Sequence, residues 1–542
     1  MSLSESSMGI ATCPRPCPLK HRAHTRPLPR GLNKLARDWG GWRAVARPRV
    51  CRNLSIQPER QTRTLHGAIP QTTLHMTLAT SKSPDGRPLK RAPLTQPCLG
   101  ACARRDPLHA AQRSAAMGDL VFSRVFCKRV WDVHHPRWLR ALVVGPAPSR
   151  LRWEHPVEAF LRTQGAAANA ATAWQEQHQC LRDSISRQRL ESLAPSICLA
   201  TERALSRLLP GPASMDDWIN QLVMEVLLDA LFSGICDGDP RQAATAVQGI
   251  SAQALFDLRQ PFTWPQWTPW QRRQRQWLRV LDGLVRSGLQ RRERMPHITR
   301  PSDILAWLMA WRDSQGQPLD TTALHKTCVG LLLAQQASIT AALRGWAACM
   351  AKHPRAQAQA FAQVQSVLGN QTPTSAQLLG PLRVIDATLH EAMRLHPPVP
   401  ALVTGQLNAD IELGGQRLAR GDWLRVTPWV LHHDARWWRQ PDAFVPQRFL
   451  GEEGHPKPLR WAYLPFGLDS HIGPGQHLPM MVMRIVAAMV LQRLALSPVA
   501  EGADAAPEPK RSSALQADKP LILQLSRRQP QTQPNRKPRP GA

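Results

Sequence analysis

A mainly helical fold with a small β-sheet late in the chain, an α+β protein, is predicted by three features of these 542 residues. Between about residues 165 and 395 apolar side chains recur three and four apart in one segment after another, the period of helices with one buried face. One segment, Thr321 to His353, is apolar nearly all round, which places it through the middle of a large protein. After Pro397-Pro398 the pattern shortens to strand-like pieces.

Taken in order, residues 1–116 show neither period. They hold 20 Lys and Arg against 5 Asp and Glu, half of the net charge of +30, and are rich in Pro, Ser and Thr. Such a segment buries too little apolar area to offset its ordering entropy, so an unstructured basic arm is expected there. Patterned sequence begins after Met117, giving a folded domain over 117–500 and a polar, partly disordered tail over 501–542. RWLRALVVGP reads as a strand and HPVEAFLRT as a short helix. The Ala-rich stretch from Gly165 to Leu209 reads as two helices. MDDWINQLVMEVLLDALFSGI opens on two acids, which suit a helix N-terminus. QRRQRQWLRVLDGLVRSGLQRRER is a basic amphipathic helix with a solvated Arg face. PSDILAWLMAWRD is a capped helix. The long apolar helix follows and ends at Pro354, which cannot continue it. Ala356–Leu368 and Leu378–Leu395 are further helices. ALVTGQL, DIELGGQRL and DWLRVTPWVLH are the strands, with turns at Gly414-Gly415 and Arg420-Gly421. No internal repeat is visible.

Composition narrows the function classes. A pI of about 11.1 points first to nucleic acid or an anionic surface. Arg far outnumbers Lys, however, and Ala, Trp and Pro are common, as codon bias in a GC-rich, bacterial-like genome produces; no nucleic-acid partner is expected. The 11 cysteines do not form a secreted disulfide framework. Cys13 and Cys17, and Cys98 and Cys102, lack a histidine pair at finger spacing, so no zinc site is expected. No run of about twenty apolar residues suggests a membrane span, and no secretory signal opens the chain. A cytoplasmic protein is expected.

Four patterns carry chemistry. The first is the glycine-rich stretch from Tyr463 to Gln476, which feeds an apolar helix from Leu478 to Leu496; such a turn lets backbone approach a ligand closely. Glu391-Ala392-Met393-Arg394 puts an acid and a base on one helix face. Pro441-x-x-Phe444-x-Pro446-x-Arg448-Phe449 is a Pro/Arg loop. The long helix carries Ala334-Gln335-Gln336-Ala337-Ser338-Ile339.

Together these patterns resemble the cytochrome P-450 superfamily over about Asp119 to Pro498, and the resemblance implies its fold: a long central distal helix and a C-terminal haem loop. The family's loop reads Phe-Gly-x-Gly-x-(Arg/His)-x-Cys-x-Gly. Phe466, Gly467, His471 and Gly475 fall in register, while Asp469 stands for the second Gly and Gly473 for the iron-ligating Cys. The resemblance implies a buried triad of Glu391, Arg394 and Arg448. It implies haem propionate contacts at Trp174 and His178, similar to the family's Trp-x-x-x-Arg, and at His471. His carries full charge only below about pH 6.5. In the distal helix the family's Ala-Gly-x-(Asp/Glu)-Thr-Thr delivers protons. Here Gln335 replaces the Gly, Ala337 the acid and Ile339 the second Thr, leaving the hydroxyl of Ser338 as the one catalytic candidate.

The resemblance thus implies a haem b monooxygenase of a small organic substrate, fed by a ferredoxin- or reductase-type donor. The substitutions imply damage to that activity. The family's thiolate pushes electron density onto iron and favours O–O cleavage. Gly473 supplies no side chain, and no Cys follows Cys349. No metal ligand is therefore assigned. The alternatives are a non-catalytic pseudoenzyme or binding scaffold with weak or no haem, and a haem protein with His471 or water on iron.

Overall fold

The computed structural model describes residues 107–125, 128–144, 151–154, 179–259, 268–296, 302–398, 403–451, 458–467, 476–499 and 520–528. Fourteen helices and ten strands are named here among them: α1 (Pro107–Met117), β1 (Leu120–Val125), β2 (Lys128–Val133), α2 (Pro136–Val144), β3 (Leu151–Glu154), α3 (Arg187–Glu191), α4 (Ala194–Ser206), β4 (Gly211–Ser214), α5 (Met215–Phe232), α6 (Pro240–Arg259), α7 (Pro269–Arg294), α8 (Ile304–Ala310), α9 (Thr321–Lys352), α10 (Pro354–Leu368), α11 (Ala376–Leu379), α12 (Arg383–Leu395), β5 (Val403–Leu407), β6 (Ile411–Leu413), β7 (Gln416–Leu418), β8 (Trp423–Val426), α13 (Pro428–His432), α14 (His477–Arg493), β9 (Leu494–Pro498) and β10 (Ile522–Arg527).

The axis of the helical body is α9. Asp320 caps it, its carboxylate accepting from the Thr322 and Ala323 amides at 2.7 and 3.3 Å. It stops where Pro354 opens α10. Leu324, Leu331, Leu332, Ile339, Leu343 and Trp346 are among its buried residues. It packs against α5, α12 and α14. Gly345 permits the close approach of the end of α12, because a Cβ there would lie 2.9 Å from His396 Cβ.

The largest sheet has the order β1-β2-β8-β5-β3. It mixes early and late chain: β2 runs parallel to β8, with Val130 opposite Trp423, and β3 is antiparallel to β5. A second apolar core lies on it, built from Leu139, Leu142, Leu424, Val426, Trp461 and Leu464 among others.

Three expectations are corrected. The stretch RWLRALVVGP lies largely within a helix, α2, and not a strand: Trp138, Leu139 and Leu142 are buried while Arg137 and Arg140 face out, a helical spacing that a short apolar run conceals. The folded chain begins before residue 117. Ser114 on α1 is buried and donates to Asp132 on β2 at 2.7 Å, and Leu108, Ala110 and Ala111 are core. Nor does the fold stop at residue 500, because β10 is the middle strand of the sheet β4-β10-β9. The alternating Leu521, Leu523 and Leu525 are buried there. Gly414 and Gly415 do make the β6–β7 turn, at φ 58° and 71°, and α7 is the expected basic helix.

Candidate active site and its loop anchor

Glu391 and Arg394 share one face of α12, and both side chains are fully buried. Their contact is two-pronged: Arg394 Nε donates to Oε2 and Nη2 to Oε1, each at 2.9 Å. Arg394 also donates to the carbonyls of His432, Pro441 and Ala443 at 2.8, 2.6 and 2.9 Å, and its guanidinium lies over Trp438. The Pro441–Phe449 loop supplies the rest. Its Val445 amide donates to Glu391 Oε1 at 2.9 Å, and Arg448 Nε reaches the same oxygen at 3.3 Å. Glu391, Arg394 and Arg448 therefore meet as one buried cluster, with two cations on one anion. Burial pushes the Arg448 pKa down and the neighbouring Arg394 charge adds to that, while Glu391 opposes both.

The head of the glycine-rich loop is anchored to this cluster. His432, fully buried at the end of α13, accepts the Leu464 amide on Nε2 at 2.8 Å. Its Nδ1 lies 3.1 Å from the Arg394 carbonyl. Tyr463 donates its hydroxyl to the His390 carbonyl at 3.0 Å, and its oxygen lies 2.9 Å from His390 Nδ1. Burial holds both histidines neutral, His432 at a pKa of about 3 and His390 at about 4, with Arg charges adding to the effect. Burial likewise raises the Tyr463 phenol well above its ordinary range. Gly467 sits at φ 93°, where a side chain would be strained, and its amide donates to the Leu464 carbonyl. Phe466 packs on the helical core. The sequence pattern included Tyr463 only as the start of the glycine-rich stretch and gave His432 and His390 no role.

On α9, Ala334, Ala337 and Ser338 are half-buried, while Ile339 is fully buried. The Ser338 hydroxyl donates back to the Ala334 carbonyl at 2.9 Å. The Gln335 Oε1 is buried with no hydrogen-bond partner. Gln336 turns away to α5, donating to the Asn220 carbonyl and side chain at 2.8 and 2.9 Å. Trp174, His178, Asp469, His471, Gly473 and Gly475 lie outside the described residues.

The residues that the resemblance places around haem are thus read from the sequence alone. Position 473 is Gly. The five described cysteines, Cys180, Cys198, Cys236, Cys328 and Cys349, have thiol pKa values pushed up to about 11 or 12 by burial. Among the described residues no group of three or more His, Cys, Asp and Glu is placed to hold a metal ion.

Comparison with known proteins agrees with this geometry. The chain is 26% identical over 214 residues to a sugiol synthase of Salvia miltiorrhiza, covering 40% of this chain and 43% of that one. It is 25% identical over 439 residues to the cyclooctat-9-en-7-ol 5-monooxygenase of Streptomyces melanosporofaciens, covering 78% and 93%. It thus spans less than half the length of the plant relative and nearly all of the bacterial one. The structure of a retinoic acid-bound cyanobacterial CYP120A1 superposes with a TM-score of 0.64 at 19% identity, covering 77% of this chain and 93% of that one, which shows a common fold. A family model of cytochrome P450 matches residues 103–525. With the Glu391–Arg394–Arg448 cluster, the loop head and the long distal helix in place, this chain belongs to the cytochrome P450 family.

Proposed function

We propose that this protein keeps the cytochrome P450 scaffold and does not carry out the family's oxygen activation at a normal rate. Haem b is the family's cofactor, and the family normally works with redox partners. The observation that carries the proposal is the distal helix. The one hydroxyl left at the proton-delivery positions, that of Ser338, is spent on the Ala334 carbonyl. Ala337 has no acid, and Ile339 is buried. Proton delivery needs a group that can donate toward the reacting atoms; Ala337 and Ile339 carry none, and the Ser338 hydroxyl would have to leave the Ala334 carbonyl to do so. The Gly at position 473 removes the thiolate independently. The protein then acts as a binder of a small organic molecule in the space the family uses for its substrate. A likeness covering 93% of a bacterial monooxygenase favours that substrate class. It also favours a second reading, an active monooxygenase with a ferredoxin- or reductase-type donor.

The test is spectroscopic. Wild-type protein, expressed with haem supplied, should give no thiolate-type band after reduction and exposure to carbon monoxide. Gly473→Cys should gain one, with turnover still poor. Asp469, four residues before position 473 in the sequence, is a reason to expect a weak band, since a carboxylate close to a thiol raises its pKa. A thiolate band or family-level turnover in the wild type would sink the proposal and favour the second reading. A Soret band of histidine or water type would show a differently ligated haem protein.

A further inference from the structure

We propose that His432 is a positioning residue that carries the geometry of the Glu391–Arg394 pair to the head of the glycine-rich loop at Leu464. The bond pattern fixes which way the ring works. A backbone amide can only donate, so the Leu464 N–H at 2.8 Å requires a bare lone pair on Nε2. The ring proton is then on Nδ1, where it donates to the Arg394 carbonyl at 3.1 Å. Arg394 grips the same residue a second time, donating from Nη1 to the His432 carbonyl at 2.8 Å. His432 is thus held at its backbone and at its ring by one arginine, whose own guanidinium is fixed by the fully buried Glu391.

From that seat the far side of the ring reaches Leu464, 32 residues further along the chain. Tyr463 tilts against the imidazole with centroids 5.3 Å apart, and Trp438 closes another edge at 6.5 Å. The ring therefore has little room to flip or shift. Burial keeps it neutral, which the acceptor role needs, since a doubly protonated ring would set N–H against N–H. This linkage depends on the fold and not on a bound cofactor, so it is separable from the function proposed above.

Two isosteres test it. Asn at 432 places an amide near the Nδ1 position and keeps the link to Arg394, but does not reach Leu464. Gln places an acceptor near the Nε2 position and keeps the link to Leu464. Amide hydrogen exchange at pH 7 is read residue by residue after fragmentation. In His432→Asn the Leu464 amide should exchange about tenfold faster, the factor one hydrogen bond sets, while α12 amides stay within threefold of wild type. In His432→Gln the Leu464 amide should stay within threefold as well. Equal loss of protection at Leu464 in both variants would overturn the proposal, as would a Leu464 amide still protected in His432→Asn, or faster exchange spread evenly over the chain. A measurement on the unaltered protein covers the case in which His432→Asn does not fold. With ¹⁵N-histidine labelling, the resonance missing from His432→Gln should show a neutral Nδ1–H ring from pH 5 to 8. An Nε2–H ring there would refute the assignment.

Discussion

Removing the charge of Glu391 tests the buried cluster without removing its shape. Glu391→Gln is nearly isosteric, but the anion that two guanidiniums share is gone. The wild-type carboxylate accepts four hydrogen bonds, two from Arg394, one from Arg448 and one from the Val445 amide. In the variant, one of its two oxygens becomes an NH₂ that faces a guanidinium N–H. Arg394 keeps three carbonyl acceptors and the Trp438 face, but among the described residues neither arginine then has an ion-pair partner. Breaking a buried pair by removing one partner costs about 3–5 kcal/mol. A domain of this kind has on the order of 5–15 kcal/mol to lose. Equilibrium denaturation in urea, followed by tryptophan fluorescence, should therefore show a midpoint shifted by a large fraction of its wild-type value, with unchanged slope. Glu391→Ala should cost at least as much. Arg448→Ala should cost less, since its single bond to Glu391 is 3.3 Å long and its side chain is at the cluster's edge. A Glu391→Gln protein within about 1 kcal/mol of wild type would mean that the cluster works as a neutral hydrogen-bond network.

Two further outcomes follow from the edges of the fold and from its histidines. A chain starting at Met117 should melt several degrees below one starting at Pro107, because it loses Leu108 and the Ser114 bond to Asp132, on the order of 3 kcal/mol; equal melting temperatures would show α1 to be dispensable. Burial holds His134 and His390 at pKa values of about 4 and His396 and His432 at about 3, below the unfolded value near 6.5. Their unfolded forms bind more protons, so the stability they contribute is present above pH 6.5 and is lost as pH falls toward 4. The loss at pH 5 is about 2 kcal/mol per histidine. Asp229 and Asp386, raised by burial, act in the opposite direction. Denaturation midpoints at pH 7 and pH 5 check the sign; a more stable protein at pH 5 would contradict it.

How much of this was legible in the sequence depended on the range of each interaction. Glu391, Arg394 and Arg448 stood out because Glu-x-x-Arg and the Pro441–Phe449 loop match motifs of the P450 family, and that resemblance implied that they meet. The long helix α9 declared itself through its apolar circumference. His432 did not, since its partners are a backbone amide and a backbone carbonyl, groups that every residue but proline carries. The direction of the Ser338 hydroxyl was equally silent: sequence shows that a hydroxyl survives, and only the structure shows that it turns back on its own helix. The α2 helix was misread because Trp138 to Val144 is a short apolar run with either period available. Both ends of the fold were missed for a related reason. Neither α1 nor β10 makes sense without its partners, which are β2 and α13 for one and β4 and β9 for the other.

The position of β10 also has a consequence for the order in which the protein can be made. It lies between β4 and β9, yet is synthesised after every other described element. The Leu521 amide closes onto Asp216, 305 residues earlier, at the start of α5. At ribosomal rates of about 5–20 residues per second, β4 emerges on the order of 15–60 s before its neighbour exists. During that time the sheet has two edges and no centre, and α5 lacks the contact at its first turn. An interrupted transcript that ends after β9 would yield a chain with most of the helical core and an open strand edge, a form prone to pair with other chains. Without β10, neither β4 nor β9 has its partner in this sheet.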